Sequence, residues 1–112
     1  KANHPPVVIL NHALDLKVKP GETVKLSAKG TSDPDRDELM YSWWQYEEAD
    51  SYGGRVEILN ADKQKSSFKV PKDAKNGDTI HIVCEVSDNG SPQLTRYKRV
   101  ILTVKNKTKW QT

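Results

Sequence analysis

Between residues 39 and 46, large side chains occupy both parities of what reads as an extended segment. Leu39, Tyr41 and Trp43 fall on one side, while Met40, Ser42, Trp44 and Tyr46 fall on the other. Elsewhere the alternation is one-sided. Val24, Leu26 and Ala28 share a face within residues 23–29. Ile80, Ile82, Cys84 and Val86 share one within residues 79–87, with His81, Val83 and Glu85 opposite. Residues 96–105 repeat the device, placing Val100, Leu102 and Val104 inward and Arg99, Ile101 and Thr103 outward. Shorter extended segments are expected over residues 7–10, 14–18, 55–59 and 66–70. A period of two recurs along the chain, and no long stretch carries the wide apolar stripe of a packed helix.

The punctuation between these segments fits hairpins and corners. Lys19-Pro20-Gly21-Glu22 places Pro and Gly where a type II turn needs them. Asp33, Pro34, Asp35, Asp37 and Glu38 form an acidic turn, since Asp side chains hydrogen-bond nearby backbone and Pro sets φ. Residues 48–54 are a polar loop ending in Tyr52-Gly53-Gly54, and residues 88–92 are another turn. Residues 71–78 are expected to make one helical turn stopped by Gly77, a corner between sheets. Together these signals predict an all-β fold: an immunoglobulin-like β-sandwich of seven to eight antiparallel strands. A tryptophan on the third main strand suits that plan. Cys84 stands where an antibody domain has its second cysteine, but it is the only cysteine, so no disulfide forms. Ile82 occupies the place of the usual corner tyrosine.

A length of 112 residues implies one domain, enough to bury roughly 65% of its unfolded surface. Residues 1–6 read as a linker from an upstream domain, 7–105 as the sandwich and 106–112 as a flexible tail. The start at Lys1-Ala2-Asn3, without an initiating Met, reads as a piece of a longer protein. The formal charge of +3 is mild and dispersed, unlike the basic face of a nucleic-acid binder. No apolar run approaches the roughly 20 residues that span a bilayer. The isolated domain is expected to be a monomer.

Three groups of residues could carry chemistry. The loops after the second and sixth main strands lie at one end of such a sandwich. Asp33, Asp35 and Asp37, with Glu38, would therefore approach Asp88, with Asn3 nearby. Clustered carboxylate oxygens of this kind suit Ca²⁺, so calcium is the candidate cofactor, held by Asp33, Asp35, Asp37 and Asp88. The alternative is a solvated acidic turn in which Asp88 caps its own loop. The second group is the outward aromatic face, where Trp44 and Tyr46 would meet His81, Glu85, Tyr97 and Arg99. Exposed rings beside polar groups can stack on sugar rings or dock against protein, and both readings stay open. The third is catalysis, for which no constellation is found. His4, His12 and His81 fall on unrelated segments, and inward-facing Cys84 reads as an inert small hydrophobe.

TSDPDRDELMYSWW and FKVPKDAKNGDTIHIVCEVSDNG resemble the polycystic-kidney-disease (PKD) and cadherin-like sandwich repeats. Arg36 departs from them, standing where those repeats usually have Gly and removing the easy left-handed conformation. NHPP, YSWWQYEEADSY and TIHIVCEVSDNGSPQLTRYKRVILTV resemble more closely the C-terminal domain of bacterial proteins named cellulose-binding. In those proteins a nucleoside-hydrolase-like domain precedes it. The resemblance implies a non-catalytic accessory module of an exported bacterial protein, extracellular or periplasmic, that binds polysaccharide of the cellulose type. It equally allows a structural module, calcium-stabilised, that packs on the upstream domain of the same chain.

Overall fold

A computed structural model of the chain describes residues 3–105. The expected tail over residues 106–112 lies outside the described residues, as do the first two residues of the expected linker. Among the described residues there are seven strands: β1 (Asp15–Val18), β2 (Thr23–Ser27), β3 (Leu39–Gln45), β4 (Ile58–Leu59), β5 (Lys65–Lys69), β6 (Thr79–Asp88) and β7 (Thr95–Val104). They form a four-stranded sheet ordered β1-β7-β6-β3 and a three-stranded sheet ordered β2-β5-β4. The only helical element among the described residues is a 3₁₀ turn over Glu47–Ala49. The protein is a β-sandwich held by packing, with no disulfide and with Cys84 buried as a free thiol.

The one-sided alternations meet in the core as their parity requires. Val24, Leu26, Ala28, Phe68 and Val70 come from the smaller sheet; Trp43, Ile80, Ile82, Cys84, Val86, Val100, Leu102 and Val104 come from the larger. Leu39 and Tyr41 pack against the edge of this cluster, on the same side of β3 as Trp43. Sealing the Cys84 thiol away from water pushes its pKa up to about 12, which keeps it protonated and inert.

Pairing is antiparallel for β2 with β5, β4 with β5, β3 with β6 and β6 with β7. The exception is β1, which runs parallel to β7, Asp15 opposite Ile101 and Val18 opposite Val104. Parallel neighbours need a crossover rather than a hairpin, and here the rest of the sandwich lies between them in sequence. Immediately after β1 the chain reverses through the expected type II turn, where Gly21 sits at φ +82° and Glu22 N donates to Lys19 O at 3.0 Å.

Four local expectations are corrected. Residues 7–10 make no strand, only a bridge between Val7 and Ser32. The Ile9 N–H goes to Thr31 Oγ1 instead of to a ladder partner. The strand expected over 55–59 contracts to Ile58–Leu59. Residues 71–78 form two successive tight turns rather than a helical one, closed by Ala74 N to Pro71 O and Asp78 N to Lys75 O. Gly77 is the third residue of the second turn, at φ +93°, so the glycine matters for the reason anticipated although the element does not form. Finally, Arg36 does adopt the left-handed region, at φ +61°, without being glycine.

Candidate functional site

The outer face of the four-stranded sheet is set by register. Trp44 on β3 lies opposite Val83 on β6, which lies opposite Arg99 on β7. The next row is Ser42, Glu85 and Tyr97. Tyr46 follows the end of β3 and stays in line because its N–H donates to His81 O at 2.8 Å. The indole of Trp44 meets the Tyr46 ring edge-on, with centroids 6.0 Å apart and planes at 64°. The Arg99 guanidinium lies over the Tyr46 ring, 5.1 Å from its centre, and so covers one of its faces. The indole Nε1 donates to Glu85 Oε1 at 3.2 Å, which fixes the tilt of Trp44.

These side chains surround a cleft of about 520 Å³ lined by Trp44, Tyr46, Val83, Tyr97, Lys98 and Arg99. Trp44 is 36% exposed and Tyr97 59%, so both rings keep surface free for a ligand. Val83 is only 5% exposed although its parity points outward, because the flanking residues roof it over. It forms an apolar floor that alternation alone does not reveal. Glu85 serves the site through the indole. His81 lies one row away, opposite Ile101, with its N–H donated to Asp50 Oδ1 at 2.6 Å and its ring Nδ1 buried without a partner. It does not line the cleft.

The acidic turn is organised by one carboxylate. Asp33 Oδ2 accepts from the backbone N–H groups of Asp35, at 2.9 Å, and Asp37, at 2.8 Å. Gripping the chain on both sides of Arg36 holds that residue in its left-handed conformation. Asp33, Asp35 and Asp37 each offer an oxygen within 4.8 Å of the others. Asp33 Oδ1 and Asp37 Oδ2 are shut off from solvent with no hydrogen-bond partner. Burial, and then the charges of Asp33, Asp88 and Asp35, hold the Asp37 carboxyl above its ordinary value of 3.8. Asp35 is engaged by His4, whose Nδ1 lies 3.2 Å from Oδ1.

Asp88 stands beside this group with its oxygens already used. Oδ1 accepts from Leu94 N at 2.9 Å and Gly90 N at 3.1 Å, and Oδ2 accepts from Asn3 Nδ2 at 2.9 Å. The Leu94 N–H leads in holding its pKa below the ordinary 3.8, against the opposing effect of burial. Asp88 therefore ties its own loop and the leading segment together. Gly90 makes the approach possible, since a Cβ there would collide with Asn3 Nδ2 and fall 2.7 Å from Asp37 Oδ2. The sequence offers Asp-Asn-Gly as a turn signal but does not show which distant residues the glycine admits.

Residues 23–104 match the family described as the C-terminal domain of cellulose-binding protein Sde0182. The chain belongs to that family. A solved structure described as a nucleoside hydrolase-related hypothetical protein from Saccharophagus degradans, associated with carbohydrate metabolism, is similar at 44% identity with a TM-score of 0.88. The alignment covers 93% of this chain and 26% of that one, so the chain spans about a quarter of that relative's length. No curated protein matches. The family match contains Trp44, Tyr46, Val83, Glu85, Tyr97 and Arg99, and it contains the acidic turn with Asp88. It leaves out β1 and the Asn3-His4 segment that ties down the acidic end.

Proposed function

We propose that this member of the cellulose-binding C-terminal domain family is a non-catalytic accessory module of an exported bacterial protein. It binds a cellulose-type glucan in the cleft between Trp44 and Tyr97. The observation that carries this reading is the cleft itself: exposed rings around an apolar floor, with a carboxylate and a guanidinium fixed at its edge. Carbohydrate ligands present apolar C–H faces and polar edges, and such a site answers both. Hydrolysis of a glycosidic bond takes a pair of facing carboxyl groups, and Glu85, engaged by the indole, has no such mate among the cleft-lining residues. An immunoglobulin-like plan is supported by the four-and-three strand order with β1 joined to β7. An extracellular or periplasmic setting follows from the ligand, which lies outside the cell.

Affinity electrophoresis tests the reading: migration of the domain should slow as a soluble β-glucan is added to the gel. Unchanged mobility at high glucan content would remove it.

A second reading is favoured by the two sequestered oxygens of Asp33 and Asp37. Here the module stiffens a longer protein by packing on its hydrolase-related part, and Ca²⁺ occupies the acidic end. Calcium takes six to eight oxygens, and Asp33, Asp35 and Asp37 would supply the protein's share while Asp88 holds the loop. In EDTA, the raised pKa of Asp37 means that between pH 3.8 and the raised value the folded state binds more protons than the unfolded chain. Stability from this group therefore falls as pH rises from 3.8 through the raised value. Asp88 acts in the opposite sense, its contribution being lost as pH falls from 3.8 through its lowered value. Asp37→Asn is thus expected to melt a few degrees higher than the wild type in EDTA at neutral pH. Added calcium should raise the wild-type Tm and leave the variant unmoved. Overlapping wild-type curves with and without calcium would count against the ion.

A further inference from the structure

We propose that the aromatic cleft takes a single, solvated glucan chain lying across the strands, and not the face of a crystalline polymer. This deepens the glucan-binding reading and rests on it. A crystal face presents many sugar rings in one plane, so a protein that adheres to it needs aromatic faces that are coplanar and equally bare. Trp44 and Tyr46 are neither. Their planes stand at 64°, so both cannot lie flat on one surface. One face of Tyr46 is also covered by the Arg99 guanidinium. Tyr46 therefore acts as a wall that props the indole, and Trp44 is the stacking platform.

The remaining lining gives the site its direction. Trp44 is on β3 and Tyr97 on β7, with β6 between them. Two strand spacings put them roughly 10 Å apart across the sheet. Between them Val83 makes a low apolar floor, so the rings stand up on either side of a trough and do not extend a plane. A trough of about 520 Å³ is the size of a pocket for a small ligand and suits a few sugar units crossing β6. The polar groups agree with this. Glu85, opposite Tyr97 in the ladder, offers acceptor oxygens beside the indole, and Arg99, rooted on β7, reaches over β6 to offer donors beside Tyr46. A lone chain has hydroxyls free to meet both. In a crystal face the corresponding hydroxyls are engaged with neighbouring chains.

The test compares physical forms of one polymer on the 112-residue chain. Cellohexaose in titration calorimetry and hydroxyethylcellulose in affinity gels should both bind. Microcrystalline cellulose should deplete no more protein from solution than it does of Trp44→Ala. Tyr97→Ala should weaken cellohexaose binding about tenfold while leaving the melting curve in place. Depletion by microcrystalline cellulose without binding of cellohexaose would overturn the single-chain assignment and keep glucan binding. Wild-type affinity for cellohexaose that survives Tyr97→Ala would overturn the cross-strand path. No binding to any form would overturn the glucan reading itself, and this inference with it.

Discussion

Replacing Trp43 by alanine is expected to destabilise the domain by about 3–5 kcal/mol, the range for deleting a large buried aromatic. Trp43 is 2% exposed and sits among the apolar side chains of both sheets. Its indole Nε1 donates to Lys63 O at 2.8 Å, and its backbone N–H donates to Ala61 O at 2.7 Å. The residue thus pins the turn between β4 and β5 onto the edge of the larger sheet. Alanine would leave both a cavity and a carbonyl without its donor, and the two costs add. Domains of this size are stable by roughly 5–15 kcal/mol, so the change is a large share of the total. A fall in Tm on the order of 15 °C should appear in thermal unfolding followed by circular dichroism. Trp43→Phe keeps most of the volume, loses the hydrogen bond and should fall in between. A Tm within a degree of wild type for the alanine variant would mean that the parity of β3 is reversed.

That parity was legible because β3 is long and its neighbours are one-sided. Once Ile82, Cys84 and Val86 must face inward, pairing Trp43 with Cys84 carries Trp43 inward and its neighbour Trp44 outward. The type II turn at Gly21 was legible for a similar reason, being a local rule with a local cause. What could not be read depends on partners remote in sequence. Val83 looks exposed by alternation and is buried only because side chains from β3 and β7 close over it. Arg36 looks wrong for a left-handed position until Asp33 is seen holding the N–H groups of Asp35 and Asp37. For Asp88 the sequence left two roles open, calcium ligand or cap of its own loop, and only the donors found on its oxygens, Leu94, Gly90 and Asn3 85 residues away, decide for the cap. Residues 7–10 carry a strand's composition, but the donor of Ile9 is taken by a threonine hydroxyl, and composition does not record that competition.

Trp44→Ala is expected to reduce affinity for a soluble glucan by roughly 30-fold or more, the effect of removing about 2 kcal/mol of contact at an aromatic hot spot. The same substitution should move the melting curve little. Trp44 keeps 36% of its surface in solvent, and within the fold it makes only an edge contact to Tyr46, a hydrogen bond to Glu85 and cover for Val83. The two adjacent indoles therefore separate stability from binding: one variant loses the fold, and the other keeps it and loses the ligand. Glu85→Ala divides the role of Trp44 further. It leaves the indole in place and frees its tilt, so binding should weaken by less than in Trp44→Ala. Glu85→Gln retains an oxygen for the indole N–H and should recover most of the difference. If Trp44→Ala binds like wild type, the glucan site lies elsewhere on the domain, and the ring pair, the cation over Tyr46 and the roofed Val83 would have to be assigned to a protein contact instead.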